Sequence, residues 1–301
     1  MHLTVGIFND LELAKKLAKA GTTNDIAIFN HASSEGVFTY VCPNSTKIQP
    51  LLQALNMIDI PVLAVKELTK EIGEVIIALD EMNFEKGFIV ADDNVKGSLA
   101  SFLKGTTLER FKYVNENELR IELMRTEIKR NTQTLVIPVD NYFNVKGIGT
   151  VILGIIRSGI IKKYDKVLME PIGKEIMVKG IQSQDRDLET ADAGMRVGLN
   201  LKGIETDEIR RGFVICKNMK KSSDFKIKLR KSKFFKQELK QGMQVCLSVG
   251  LQAVTCAIES MEGDTMKLKS VQPIAYMENQ KFILASMGDT LPRIIGSGNI
   301  I

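Results

Sequence analysis

VDNYFNVKGIGTVILG, residues 139–154, sets two glycines one residue apart between two strand-like runs. Gly147 and Gly149 either cradle a phosphate or shape a tight hairpin that a side chain would not fit. A phosphate-binding glycine pair lies between a strand and a helix. Here Thr150-Val151-Ile152 continues at once as another β-rich run. The pair therefore reads as hairpin glycines, and the module around it as β-sheet.

The same signature extends outward from the hairpin to the end of the sequence. From residue 131 onward short strands and Gly, Asp and Lys turns recur with almost no helix-length periodicity, which predicts one or two small barrels. A second break falls at NMKKSSD, residues 218–224. Just after it, in FKIKLR, Phe225, Ile227 and Leu229 alternate with Lys226, Lys228 and Arg230. A period of two sends the apolar set to a barrel core and the cations to one outward ridge.

Residues 1–130 follow a different pattern, with apolar strand runs separated by amphipathic helices. DLELAKKLAKA (10–20), KIQPLLQALNMI (47–58), EIGEVIIALDEMN (71–83), VKGSLASFLKG (95–105) and ENELRIELMRTEIKR (116–130) read as helices. LTVGIF, IPVLAV and GFIVAD read as buried strands, so a parallel sheet covered on both faces is expected. The organisation is thus an α/β domain at 1–130 followed by all-β barrels at 131–219 and 220–301.

Charge follows these divisions. Residues 1–130 hold 15 Lys/Arg and 18 Asp/Glu, whereas residues 131–301 hold 26 and 18. Much of the excess lies in residues 217–240, with ten basic and two acidic side chains, a concentration that attracts polyanions. Cys42, Cys216, Cys246 and Cys256 lack C-x-x-C spacing, and only His2 and His31 could help them bind zinc. Buried free thiols in a reducing cytoplasm are expected, with no metal. Asp92 and Asp93 follow a strand where α/β ligands bind, but adjacent loop acids are commonly solvated. His31 lacks a base–nucleophile partner. The start has no secretory pattern and no apolar run approaches the ~20 residues of a membrane span.

VDNYFNVKGIGTVILGIIRSGIIKKYDKVLMEP (139–171) resembles the second-domain pattern D-x-x-F-x-(I/V)-x-G-x-G-T-V-(V/I)-x-G of translational GTPases of the elongation factor Tu class. IQSQDRDLETADAGMRVGLNLKGIETDEIRRGFVI (181–215) continues it, and LPRIIGSGNII (291–301) is similar to the close of the third domain. Ala193-Gly194-Met195-Arg196 is most like selenocysteine-specific elongation factors, and the whole chain resembles short SelB-like archaeal proteins with a decayed first domain. The resemblance implies a degenerate P-loop GTPase-like domain followed by two β-barrels of the second- and third-domain type.

A working GTPase needs G-x-x-x-x-G-K-[ST] after the first strand, and here LTVGIF passes through ND straight into LELAKKLAKA. D-x-x-G is replaced by VCPNSTK (41–47) and N-K-x-D by VADDNVK (90–96). Neither GTP nor Mg²⁺ is expected to bind, making the protein a pseudo-GTPase without a catalytic residue. The resemblance implies that Asp140, Asn141, Phe143, Gln182 and Arg196 border the aminoacyl end of a tRNA. Arg196 on a strand can equally be a plain surface residue. Lys226, Lys228, Arg230, Lys231 and Lys233 form the basic strip, which suits a nucleic-acid backbone. The expected function is cytoplasmic RNA binding in translation, to tRNA or ribosomal RNA, with the ribosome or another translation factor as further partners and neither DNA nor membrane. The alternatives are a protein-interacting regulator docking at an elongation-factor site and a factor with a cryptic nucleotide site.

Overall fold

Seven strands of the first domain lie in one sheet: β1 (His2–Phe8), β2 (Lys19–Thr23), β3 (Ile26–Ala32), β4 (Val37–Pro43), β5 (Ile60–Val65), β6 (Phe88–Ala91) and β7 (Lys112–Tyr113). Their order is β2-β3-β4-β1-β5-β6-β7 in a computed structural model that describes residues 1–301. β4, β1, β5, β6 and β7 are parallel neighbours, as the continuous apolar runs demand. The sheet is mixed, however, because β2 and β3 form an antiparallel hairpin at one edge. Helices α1 (Leu11–Leu17), α2 (Ile48–Met57), α3 (Lys70–Met82), α4 (Asp93–Leu103) and α5 (Glu116–Met124) complete the domain. Thr69 caps the start of α3, and Asn83 closes it in the left-handed conformation.

Two helices are shorter than their periodicity predicts. α1 stops at Leu17, and Lys19–Thr23 pairs with β3 instead, Lys19 opposite Asn30. Open hydrogen-bonding groups on β3 outweigh the helix preference of Lys19 and Ala20. α5 stops at Met124, after which the chain extends until Arg130 reaches the buried carboxylate of Asp59.

The first barrel contains β8 (Val136–Val145), β9 (Gly149–Ile155), β10 (Ile160–Lys162), β11 (Lys166–Glu170), β12 (Lys174–Ser183), β13 (Arg186–Leu188), β14 (Thr190–Asp192), β15 (Arg196–Lys202) and β16 (Val214–Cys216). Pairing of β11 with β12 closes a six-strand ring, β11-β16-β8-β9-β15-β12. β8 and β9 are the hairpin of the opening stretch, with Gly147 at φ +82° and Gly149 at φ +101°. A Cβ at either would meet nothing within 4 Å, so the backbone conformation, not lack of space, calls for glycine. The second barrel is closed by β17 (Lys220–Lys231), β18 (Gln244–Val249), β19 (Gln252–Glu262), β20 (Thr265–Tyr276), β21 (Lys281–Ser286) and β22 (Ile294–Ile300). Phe225, Ile227 and Leu229 fill its core as their alternation predicts, and Phe235 joins them.

The three domains are joined by shared core and by ion pairs. Cys246, Leu251, Ile283, Ala285 and Ile294 of the second barrel belong to the same apolar cluster as α2 and α3. Arg293 donates to the buried Glu74 carboxylate, while Arg230 and Ser297 donate to Glu81. Arg130 and Arg157 converge on Asp59, and Arg211 pairs with Asp25. The acidic balance of the first domain thus meets arginines at both barrel junctions. All four cysteines are free and buried. Burial pushes the thiols of Cys42 up to about 12 and Cys246 to about 11.

Candidate functional site

Asp140 sits at a β-bulge, where the register of β8 against β9 shifts between Val139 and Asn141. Bulges re-aim a side chain, and here the carboxylate meets Arg196 at the start of β15, 3.1 Å from Nη2. The pair is nearly enclosed, with side chains 5% and 12% exposed. Ser183 Oγ donates to the Arg196 carbonyl at 2.8 Å, tying the end of β12 to β15. Gln182, one residue earlier, points outward and donates its amide to Asp187 at 2.9 Å.

Gln182 and Arg196 line one cleft of about 340 Å³. Its far wall belongs to the first domain: Lys19 and Ala20 on β2 and Asn30 on β3. Periodicity predicts helix for Lys19 and Ala20, so the sequence gives no sign of that wall. Asn141 stands apart from the cleft. It lines a separate small void with Thr22, Ile26 and Arg211, and its side-chain oxygen accepts from the Tyr142 N–H. Phe143 projects farther along β8 and is 41% exposed. The five residues implied for the aminoacyl end therefore form a cleft pair, a buried partner, and two positions outside the cleft.

The basic strip divides in two. Lys226 and Lys228 face outward on β17. Lys226 lies directly opposite Lys267 on β20, and neither has a carboxylate within 4.0 Å. Like charges opposite one another on a sheet repel, so this surface is suited to an external anion. Lys228 is 3.5 Å from Asp264. Arg230 instead turns to the first domain, 2.8 Å from Glu81, and Lys233 donates to the Gly105 carbonyl at 2.6 Å. Lys231 donates to the Gln237 carbonyl and lies over the Phe235 ring. The single outward ridge read from alternation is thus partly consumed by internal contacts. Lys267 had no local signal, because cross-strand register pairs residues far apart in sequence.

At the carboxyl end of the first-domain sheet, β1 joins α1 through only Asn9 and Asp10. Asp10 caps the helix by accepting from the Leu13 N–H at 3.1 Å and pairs with Lys66 at 2.8 Å. Burial alone would raise its pKa, but the Lys66 and Leu13 hydrogen bonds prevail and hold it below the ordinary value. Nearby, Asp93 pairs with Lys96 at 2.6 Å. No three His, Cys, Asp or Glu side chains gather as a metal site, and no helix is long and apolar enough to cross a membrane.

Residues 149–216 match the family described as Elongation factor Tu domain 2. Over 99% of both chains, the sequence is 34% identical to the uncharacterized protein MJ0325 of Methanocaldococcus jannaschii. It is 30% identical to the selenocysteine-specific elongation factor of the same organism, using 82% of this chain and 52% of that protein. The chain therefore spans nearly all of the first relative but only about half of the second. The crystal structure of translation elongation factor SelB from Methanococcus maripaludis in complex with the GTP analogue GppNHp superposes with a TM-score of 0.86. That match is 22% identical and covers 99% of this chain and 78% of the other, a likeness of fold.

Proposed function

This chain belongs to the family of MJ0325 and has the domain layout of SelB, and from that premise we propose that it is a translation-factor-like protein that binds the aminoacyl end of a tRNA without hydrolysing GTP. The observation carrying this reading is the cleft in which Gln182 and Arg196 of the first barrel face the β2–β3 hairpin. It is large enough for an amino-acid side chain and has walls from two domains, a common setting for ligand pockets. The exposed Lys226–Lys267 pair supports backbone contact by the same RNA.

The separation from GTP chemistry rests on Asp10. A phosphate loop wraps its ligand with successive backbone N–H groups. Here the turn has two residues, and a carboxylate already occupies the anion-favouring start of α1. The residues present do not fit a nucleoside triphosphate, and Mg²⁺ would lose the phosphate oxygens that usually complete its shell.

The test is equilibrium binding of aminoacylated and deacylated total tRNA to the full chain across a salt series. Preference for the aminoacylated form is expected. Equal, steeply salt-dependent binding of both would refute the aminoacyl-end reading and leave only a basic surface.

A further inference from the structure

The charge balance around Arg196 indicates which acyl groups the cleft admits. Arg196 Nη2 donates to both oxygens of Asp140, at 3.1 and 3.5 Å, so the cation facing the cleft has an internal counter-ion. Asn141 brings no second cation, because it is neutral and lies in the neighbouring void. The remaining charges in the lining are Lys19 and Asp185, which are exposed and opposite in sign. With the carboxylate behind Arg196 included, the lining carries no net charge.

Hydrogen-bonding capacity remains nonetheless. Arg196 Nε is buried without an acceptor. Val197, Leu199 and Leu201 fill the barrel core, so Arg196, Gly198 and Asn200 share the opposite face of β15. Gly198 leaves the strand bare beside Leu153, and farther along Asn200 Oδ1 is buried without a donor. Of this face, Arg196 and Gly198 line the cleft beside the polar side chains of Gln182 and Gln184, whereas Asn200 lies outside it. An uncharged polar group enters this neutral lining at little desolvation cost, whereas an anion loses hydration and meets an arginine already neutralised by Asp140.

We propose that the cleft selects an uncharged aminoacyl group and discriminates against an anionic one, a specificity that rests on the aminoacyl-tRNA reading above. The test uses one tRNA body acylated either with glutamine or with glutamate, side chains of nearly equal size that differ in charge. The glutamine form should bind the full chain at least about tenfold more tightly, only a fraction of the penalty for burying an ion. Asp140→Asn exposes the Arg196 charge and should shrink or reverse that ratio. Should that variant fail to fold, the wild-type comparison decides alone. Equal binding of both acyl forms, each tighter than deacylated tRNA, overturns the specificity and leaves the aminoacyl reading standing. Acylated forms that bind no better than the deacylated tRNA overturn that reading, and the specificity with it.

Discussion

Glu74→Ala should loosen the first domain from the second barrel while both barrels stay folded. The Glu74 side chain is 3% exposed and that of its partner Arg293 is 14%. The Arg293 backbone N–H donates to Oε1 at 2.7 Å, and Nε lies 3.1 Å from both oxygens. Removing the buried carboxylate strands a partly buried guanidinium and a backbone donor, and breaking a fully buried pair in this way typically costs about 3–5 kcal/mol. Arg293 keeps a 3.0 Å bond to the Thr46 carbonyl and some solvent contact, which favours the lower end, about 3 kcal/mol. A three-domain chain need not unfold in one step, so amide hydrogen exchange in α3 and β22 is the appropriate assay. Protection there should fall roughly 100-fold, the rate equivalent of that energy. Glu12→Ala, at an exposed pair with Lys15, serves as control and should do almost nothing. The double variant Glu74→Leu with Arg293→Met, which removes both charges together, should recover much of the stability. A fall of less than about fivefold for Glu74→Ala would place the pair with ordinary surface bridges and refute the reasoning.

Acid should weaken the junction held by Asp59. Burial pushes its pKa up, but Arg130, Arg157 and the Thr4 N–H overcome that and hold it below the ordinary value. Its stabilisation is complete above the unfolded value of about 4 and is lost as pH falls through the lower folded value. Asp59→Asn should flatten the acid limb of urea midpoints plotted against pH, and an unaltered limb would rule Asp59 out. Gly147→Ala should cost about 1 kcal/mol through backbone strain alone, measured by chemical denaturation, since its Cβ has open space. Changing Lys226 and Lys267 to Glu should weaken RNA binding and lower the log–log salt slope by roughly one for each phosphate left unneutralised. Calorimetry with GTP and Mg²⁺ should give flat heats, and a saturable heat would overturn the pseudo-GTPase proposal.

The sequence alone determined features whose signal lies within a few residues. The Gly147–Gly149 spacing predicts a hairpin, and β8 and β9 form one. The alternation in FKIKLR identifies the three apolar residues that fill the second barrel. The change of period near residue 131 separates α/β from all-β architecture, because strand and helix geometry set different spacings for apolar side chains. Tertiary structure alone decided whether Lys19–Thr23 would be strand, since that depends on the open edge of β3. It also turned Asp140 onto Arg196, Arg230 onto Glu81 and Arg293 onto Glu74, pairs separated by 56, 149 and 219 residues. Nothing in the chain near either member announces such a partner. Strand register and domain docking bring them together, and those are set by the burial of whole faces, not by local spacing.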